Sequence, residues 1–227
     1  MLDDASRIQA IGNLASMLTA VNRTDEARSV LEQFVHEARR SGLVSFESIG
    51  LADLGALNRM EHDYESSRAA YAAALTQLRS RATKYYEMET LRGLGLASLG
   101  LGQHGEARAA FAEMLELALA TTQMYSRYVA QALTGIALAA DPAEADRAAR
   151  LHGAVAQLNS DADVVINAYS RADDELERHF ERQLVLVLGE EAWEREKTAG
   201  STMTLEQAIA LAQSISGHSE RAVSAES

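Results

Sequence analysis

The chain has no cysteine and a single proline in 227 residues. The first absence excludes a disulfide frame, a thiolate zinc site and a cysteine nucleophile. The second permits long unbroken helices, because an internal proline removes a hydrogen bond and clashes with the preceding turn. Aromatic residues are sparse at 5%, and lysine is almost missing beside arginine. No apolar run reaches the roughly 18–20 residues needed to cross a bilayer. The opening Met1-Leu2-Asp3-Asp4 is acidic, unlike the basic start of a signal peptide. Positive charge is in deficit as well, with 21 Lys+Arg against 33 Asp+Glu and a net charge of −12. Nucleic acids are held chiefly by neutralising their phosphates, so direct nucleic-acid contact is not expected. These absences predict a cytoplasmic protein that touches neither membrane nor nucleic acid.

What the chain does have is an internal period. Ile11-Gly12-Asn13-Leu14-Ala15, Leu51-Ala52-Asp53-Leu54-Gly55 and Leu91-Arg92-Gly93-Leu94-Gly95 sit 40 residues apart. Ala15, Gly55, Gly95 and Gly135 form one column of small residues, and Ala27, Ser67 and Ala107 form another. Leu31, Tyr71 and Phe111 make a column of large residues, followed by Val35, Leu75 and Leu115. Glycine inside a helix costs about 1 kcal/mol relative to alanine. Small residues at a fixed period therefore indicate helices that must approach closely, with the large column filling the groove beside them.

The hydrophobic spacing predicts helix pairs at about 4–20 with 24–41, 44–60 with 62–80, 83–100 with 104–120, and 122–139 with 142–159. Asn22-Arg23, Ser41-Gly42 and Gly100-Leu101-Gly102 mark turns. Asp141 before Pro142 reads as a helix cap with proline at the first helical position. Asp161-Ala162-Asp163 is a polar break. A long helix then carries Ile166, Tyr169, Leu176, Phe180, Leu184 and Val187, with Arg171/Glu175 and Asp174/Arg178 four apart on its exposed side. Gly189 ends that helix, Trp193 lies in a short one, and Thr204-Leu205-Glu206-Gln207 opens a last helix through a capping box. The expected divisions are helical repeats over 1–160, a helical cap over 161–215 and a disordered tail over 216–227.

The columns resemble the tetratricopeptide repeat (TPR). Leu54-Gly55, Tyr64, Tyr71 and Ala74-Leu75 carry the likeness in the second repeat, and Leu94-Gly95, Gly102, Ala107 and Phe111 in the third. The period of 40 exceeds the usual TPR length, and the closing proline is missing. A second likeness lies in Ala148-Ala149-Arg150-Leu151-His152-Gly153-Ala154. It continues through Gly189…Trp193…Gly200 and Met203-Thr204-Leu205-Glu206-Gln207-Ala208-Ile209. These runs are similar to the C-terminal region of bacterial STAND-ATPase and LuxR-class transcriptional regulators. The resemblance implies an all-α, right-handed TPR-like superhelix of about four helix pairs with a C-terminal helical cap. It also implies a protein-interaction and signal-sensing role in a bacterial regulator, without catalysis.

Other chemistry fails on context. Gly100-Leu101-Gly102-Gln103-His104-Gly105 has dinucleotide-loop spacing, but that loop needs a strand before it and an acid about 20 residues on. Here a helical pattern precedes it, and the repeat explains the glycines as a turn. The six histidines show no i, i+4 pair and no H-E-x-x-H, so no metal site and no cofactor are expected. Eleven acids against five bases between residues 161 and 197 read as a solvated face, or as a dock for a basic partner.

In TPR arrays the first helix of each pair lines the inner groove. That mapping nominates Asn13, Ser16, Arg59, Met60, Glu89, Arg92, Leu96, Leu99 and Ile136 as partner-binding residues. Gly12, Asp53 and Glu89 stand where carboxylate-clamp TPRs carry amides and cations, so that clamp is not expected. The apolar end of the groove is either open or filled by the C-terminal helices. The expected partner is a protein or peptide. A stand-alone adaptor and a small-molecule receptor using the apolar end are the alternatives. Arg59→Glu and Arg92→Glu are expected to weaken a partner complex while leaving helicity intact. Apolar residues spread widely around the first helix, from Ala5 to Val21, which predicts a preceding module or self-association through that helix.

Overall fold

The computed structural model describes residues 4–79, 84–121, 126–159 and 170–224. Within them the chain is helical, with no strand among the described residues. Helices α1 (Asp4–Ala20), α2 (Thr24–Arg40), α3 (Val44–Met60), α4 (Tyr64–Leu78), α5 (Lys84–Gly100) and α6 (His104–Ala120) begin at intervals of 20 residues. After them come α7 (Ser126–Leu138), a 3₁₀ turn at Pro142–Glu144, α8 (Ala145–Asn159), α9 (Ser170–Leu188), α10 (Glu190–Gly200) and α11 (Leu205–Ser224). These bounds fall within a few residues of those the hydrophobic spacing predicts.

The short turns have one physical cause. Asn22, Gly42, His62 and Gly102 all take positive φ, between 58° and 71°. In each, the following residue's amide reaches back five positions: Arg23 to Leu18, Leu43 to Ala38, Asp63 to Asn58 and Gln103 to Ser98, all at 2.9 Å. This is the Schellman arrangement, which satisfies the last carbonyls of a helix through a left-handed residue. The residue that closes it is also the cap of the next helix, so three residues suffice to reverse the chain. The Gly100–Gly105 run is such a turn. It joins helix to helix, and Gly102 supplies the left-handed position at φ 71°.

Two compact units emerge. The first comprises residues 1–97 with 166–173, and the second 98–165 with 174–227. In the first unit α1 packs on α2, α2 on α3 and α3 on α4. Every member of the sequence columns there is buried: Ala15, Ala27, Leu31 and Val35, then Gly55, Ser67, Tyr71 and Leu75, and Gly95. Ser67 donates to the carbonyl of Gly55 at 2.8 Å. The Tyr71 ring lies 3.1 Å from where a Cβ on Gly55 would stand, and it presses closer still on Gly93. Two small residues on separate helices thus make the slot for one aromatic ring.

The second unit repeats the device with Ala107, Phe111 and Leu115, all buried, and Phe111 lies against Gly135. Here α6 packs on α7 and α7 on α8, while α11 reaches α6, α7 and α8. Helices α8 and α10 come closest. A Cβ on Gly153 would strike the carbonyl of Lys197, and one on Gly200 would strike the carbonyl of Arg150. Trp193, 2% exposed, is sealed beside them against His152, with ring centroids 5.4 Å apart. Desolvation lowers the His152 imidazole below its usual value.

The expected caps are present. Asp141 accepts from the amide of Ala143 at 2.9 Å with Pro142 next to it. Thr204 and Gln207 exchange hydrogen bonds at 2.9 and 3.2 Å. Arg178 departs from expectation by donating to the main-chain oxygen of Asp174, at 2.8 Å, rather than to its carboxylate. Helix α11 runs to Ser224, past the expected end near Ile215, through a segment with no proline to stop it. Residues Asp161 to Asp163, Ile166 and Tyr169 lie outside the described residues. No helix among the described residues is long and apolar enough to cross a membrane.

Candidate functional site

The first unit contains a cavity of about 270 Å³. Two helical stripes build most of it: Ile49, Ala52, Asp53, Ala56 and Arg59 from α3, and Tyr85, Tyr86, Glu89, Arg92 and Gly93 from α5, with Thr90 and the α4 ring of Tyr71 closing it. The i, i+3, i+4 spacing on α3 and α5 aims each stripe at one side. Alanine and glycine along both stripes keep the space open where larger residues would fill it.

Its charges fall into two groups. Arg59 is 3% exposed. It is ion-paired with Asp173, which is 1% exposed and sits in the first turn of α9. Arg92 also reaches Asp173, with Nη1 to Oδ2 at 2.7 Å. The Arg59 guanidinium extends toward the Tyr71 hydroxyl at 3.5 Å. Six positions earlier on the same helices, about 9 Å by helical rise, stand Asp53 and Tyr86. Asp53 has no hydrogen-bond or ion-pair partner among the described residues. Burial pushes its carboxyl from the ordinary range up to about 7. Burial, the neighbouring Tyr85 and the Asp53 charge also raise the Tyr86 phenol. Tyr85 and Tyr86 meet edge to face, with centroids 5.1 Å apart and planes at 84°. They remain 41% and 37% exposed, so they stand at the open side.

The residues nominated from the sequence divide sharply. Glu89, Arg92 and Arg59 come together in this cavity. Asn13 and Ser16 are exposed on α1, where Asn13 accepts from Gln9 at 3.1 Å and Ser16 donates to the Gly12 carbonyl at 3.2 Å. Met60 is half-buried. Leu96, Leu99 and Ile136 are at most 1% exposed and belong to the packed interior, because small and apolar neighbours close over them. Arg59 is no surface contact either. A carboxylate of this same chain holds it, so Arg59→Glu would bury two acids side by side rather than edit a surface.

Sequence reasoning passed over Asp53, Tyr85, Tyr86 and Asp173 as site residues. The signal that could have found Asp53 is its place on the small, apolar stripe of α3, where a lone acid is costly unless it serves a purpose. Asp173 gave no such signal. It is one acid among many in its segment, and only the fold brings it to two arginines more than 80 positions earlier in the chain.

Comparisons with family models, with curated proteins and with solved structures find no match for this chain.

Proposed function

We propose that the chain is a ligand-binding and signal-sensing domain of the TPR type, a right-handed superhelix of about four helix pairs with a helical C-terminal cap. It works by binding, without catalysis of its own. Its setting is that of the sensor region of a bacterial STAND or LuxR-class regulator. The support for the repeat is the burial of the 40-residue columns and the glycine slots that seat Tyr71 and Phe111. The observation that carries the binding reading is the cavity lined by Asp53, Tyr85, Tyr86, Glu89 and Arg92. A concave space with a few convergent polar groups, one of them with an altered acidity, is the form binding sites take. A ligand or peptide side chain held there would shift a population between states in proportion to its differential affinity.

The test is a ligand-observed NMR screen of the full chain against small cations, anions and neutral molecules. Ala52→Leu fills the cavity from α3 and serves as the control, its fold checked by circular dichroism. Hits that disappear in the filled variant support the reading. A screen with no hits, or with hits indifferent to Ala52→Leu, contradicts it.

A second reading has its own observation. Leu14, Met17 and Val21 on α1 are 49%, 68% and 64% exposed. An exposed apolar stripe of this kind would suit a second copy of the chain, or a module that precedes α1.

A further inference from the structure

We propose that the cavity takes an organic cation, an ammonium or guanidinium head on an apolar stem, with Asp53 as its counter-ion and the Tyr85–Tyr86 pair against it. The proposal rests on the reading of this cavity as a binding site and names what it binds.

The charge count points there first. The cavity and its backing hold two arginines, Arg59 and Arg92, and three carboxylates, Asp53, Glu89 and Asp173. With all of them ionised, one negative charge is left over. Its location follows from the geometry. Both arginines converge on Asp173 and Glu89 has an interaction of its own, whereas Asp53 has no hydrogen-bond or ion-pair partner among the described residues. An anionic ligand would have to displace a buried carboxylate from two arginines before it could pair with them. A cation meets an acid with no hydrogen-bond or ion-pair partner among the described residues.

The aromatic lining agrees. Tyr85 and Tyr86 line the cavity together with Asp53 and stay partly exposed. Cations are drawn to aromatic faces within about 6 Å of the centroid, and more strongly where water is excluded. Ile49, Ala52 and Ala56 offer an apolar wall for a stem. A water occupies about 30 Å³ in the liquid, so the cavity of about 270 Å³ suits one small molecule or one inserted side chain.

Two sources carry this chemistry, a free amine and the side chain of a docked peptide. Calorimetry on the full chain separates them. The probes are phenethylammonium and the blocked peptide acetyl-Gly-Lys-Gly-amide. Phenethyl alcohol and 3-phenylpropionate are the neutral and anionic controls. At pH 8 at least one cationic probe is expected to bind ten or more times tighter than either control. Asp53→Asn is expected to erase that preference, and Tyr86→Leu to weaken the cation several-fold while Tyr86→Phe retains it.

Affinity for the cation should also rise about tenfold from pH 6 to pH 8, as the competent, ionised fraction of Asp53 grows. The titratable and charged groups that share the cavity with Asp53 are Tyr85, Tyr86, Glu89 and Arg92 of α5, Arg59 of its own helix and Tyr71 of α4. A pH dependence absent from Asp53→Asn therefore belongs to Asp53. If phenethylammonium alone binds, the source is a free amine; if the lysine peptide alone binds, it is a side chain. Tighter binding of 3-phenylpropionate, lost in Arg92→Gln, would overturn the cation assignment and leave the cavity as the site. Neutral or anionic hits that Ala52→Leu removes, with no cationic hit, would do the same. A screen in which Ala52→Leu changes nothing would take down the cavity reading itself.

Discussion

Two charged residues behave in opposite ways, and the difference is partnership. Burial lifts the Asp53 carboxyl to about 7 with nothing opposing it. Its folded value then lies above its unfolded one, so between about pH 4 and 7 the folded state binds more protons than the unfolded state. Stability therefore falls as pH rises through that window. Asp53→Asn should raise the melting temperature at pH 8 and leave it nearly unchanged at pH 4, with about 2–4 °C for each kcal/mol recovered. Calorimetric melts at the two pH values check this. Arg59 is the reverse case, a buried cation that depends on Asp173. Arg59→Met leaves that acid with Arg92 alone of its two arginines, at a cost of about 1.5–3 kcal/mol for a lost charge-assisted hydrogen bond. Arg59→Met combined with Asp173→Leu should recover most of it, as urea titrations of the single and double variants would show. The sequence places Arg59 on the right face of the right helix but cannot show that its partner comes from α9. That partnership is a tertiary contact, and no local pattern encodes it.

At the level of elements, the sequence is far more legible. The 40-residue columns are local and periodic, and each falls on a buried helix face. Helix ends could be read at Asn22, Gly42 and Gly102, and the structure adds the same left-handed position at His62. His62 is the least suited of these, since a side chain at positive φ costs about 1–2 kcal/mol. His62→Gly is expected to be neutral or stabilising by up to about 1 kcal/mol, and His62→Val destabilising; denaturant midpoints decide. Gly153 and Gly200 drew notice in the sequence through a family resemblance alone. Their physical reason is the contact of α8 with α10, where each glycine faces a carbonyl of the other helix. Backbone cannot rotate away as the Tyr71 ring can. Gly153→Ala should therefore cost about 1–3 kcal/mol or more, and shortening Lys197 should not relieve it. What the columns did not disclose is which apolar stripe stays open. Leu96, Leu99 and Ile136 have the same spacing as cavity-lining residues and are sealed. Periodicity identifies the inward face of a helix but not what lies opposite.

For the whole molecule, the exposed Leu14, Met17 and Val21 predict concentration-dependent self-association. Light scattering should show it for the native chain and not for Met17→Glu; a clean monomer at high concentration would argue against it. The proposed regulator setting predicts a band well above 24.6 kDa when source cells are blotted with an antibody to this chain. Charge was legible at this scale as a deficit of cations. What mattered was the distribution, with Asp53 unpaired among the described residues in a cavity whose arginines are already engaged. The most direct test of the account is a crystal structure of the full chain soaked with the fragments found by the NMR screen. The account predicts fragment density bounded by Asp53, Tyr86 and Arg92. Fragments bound only elsewhere, with water alone in that cavity, would contradict it.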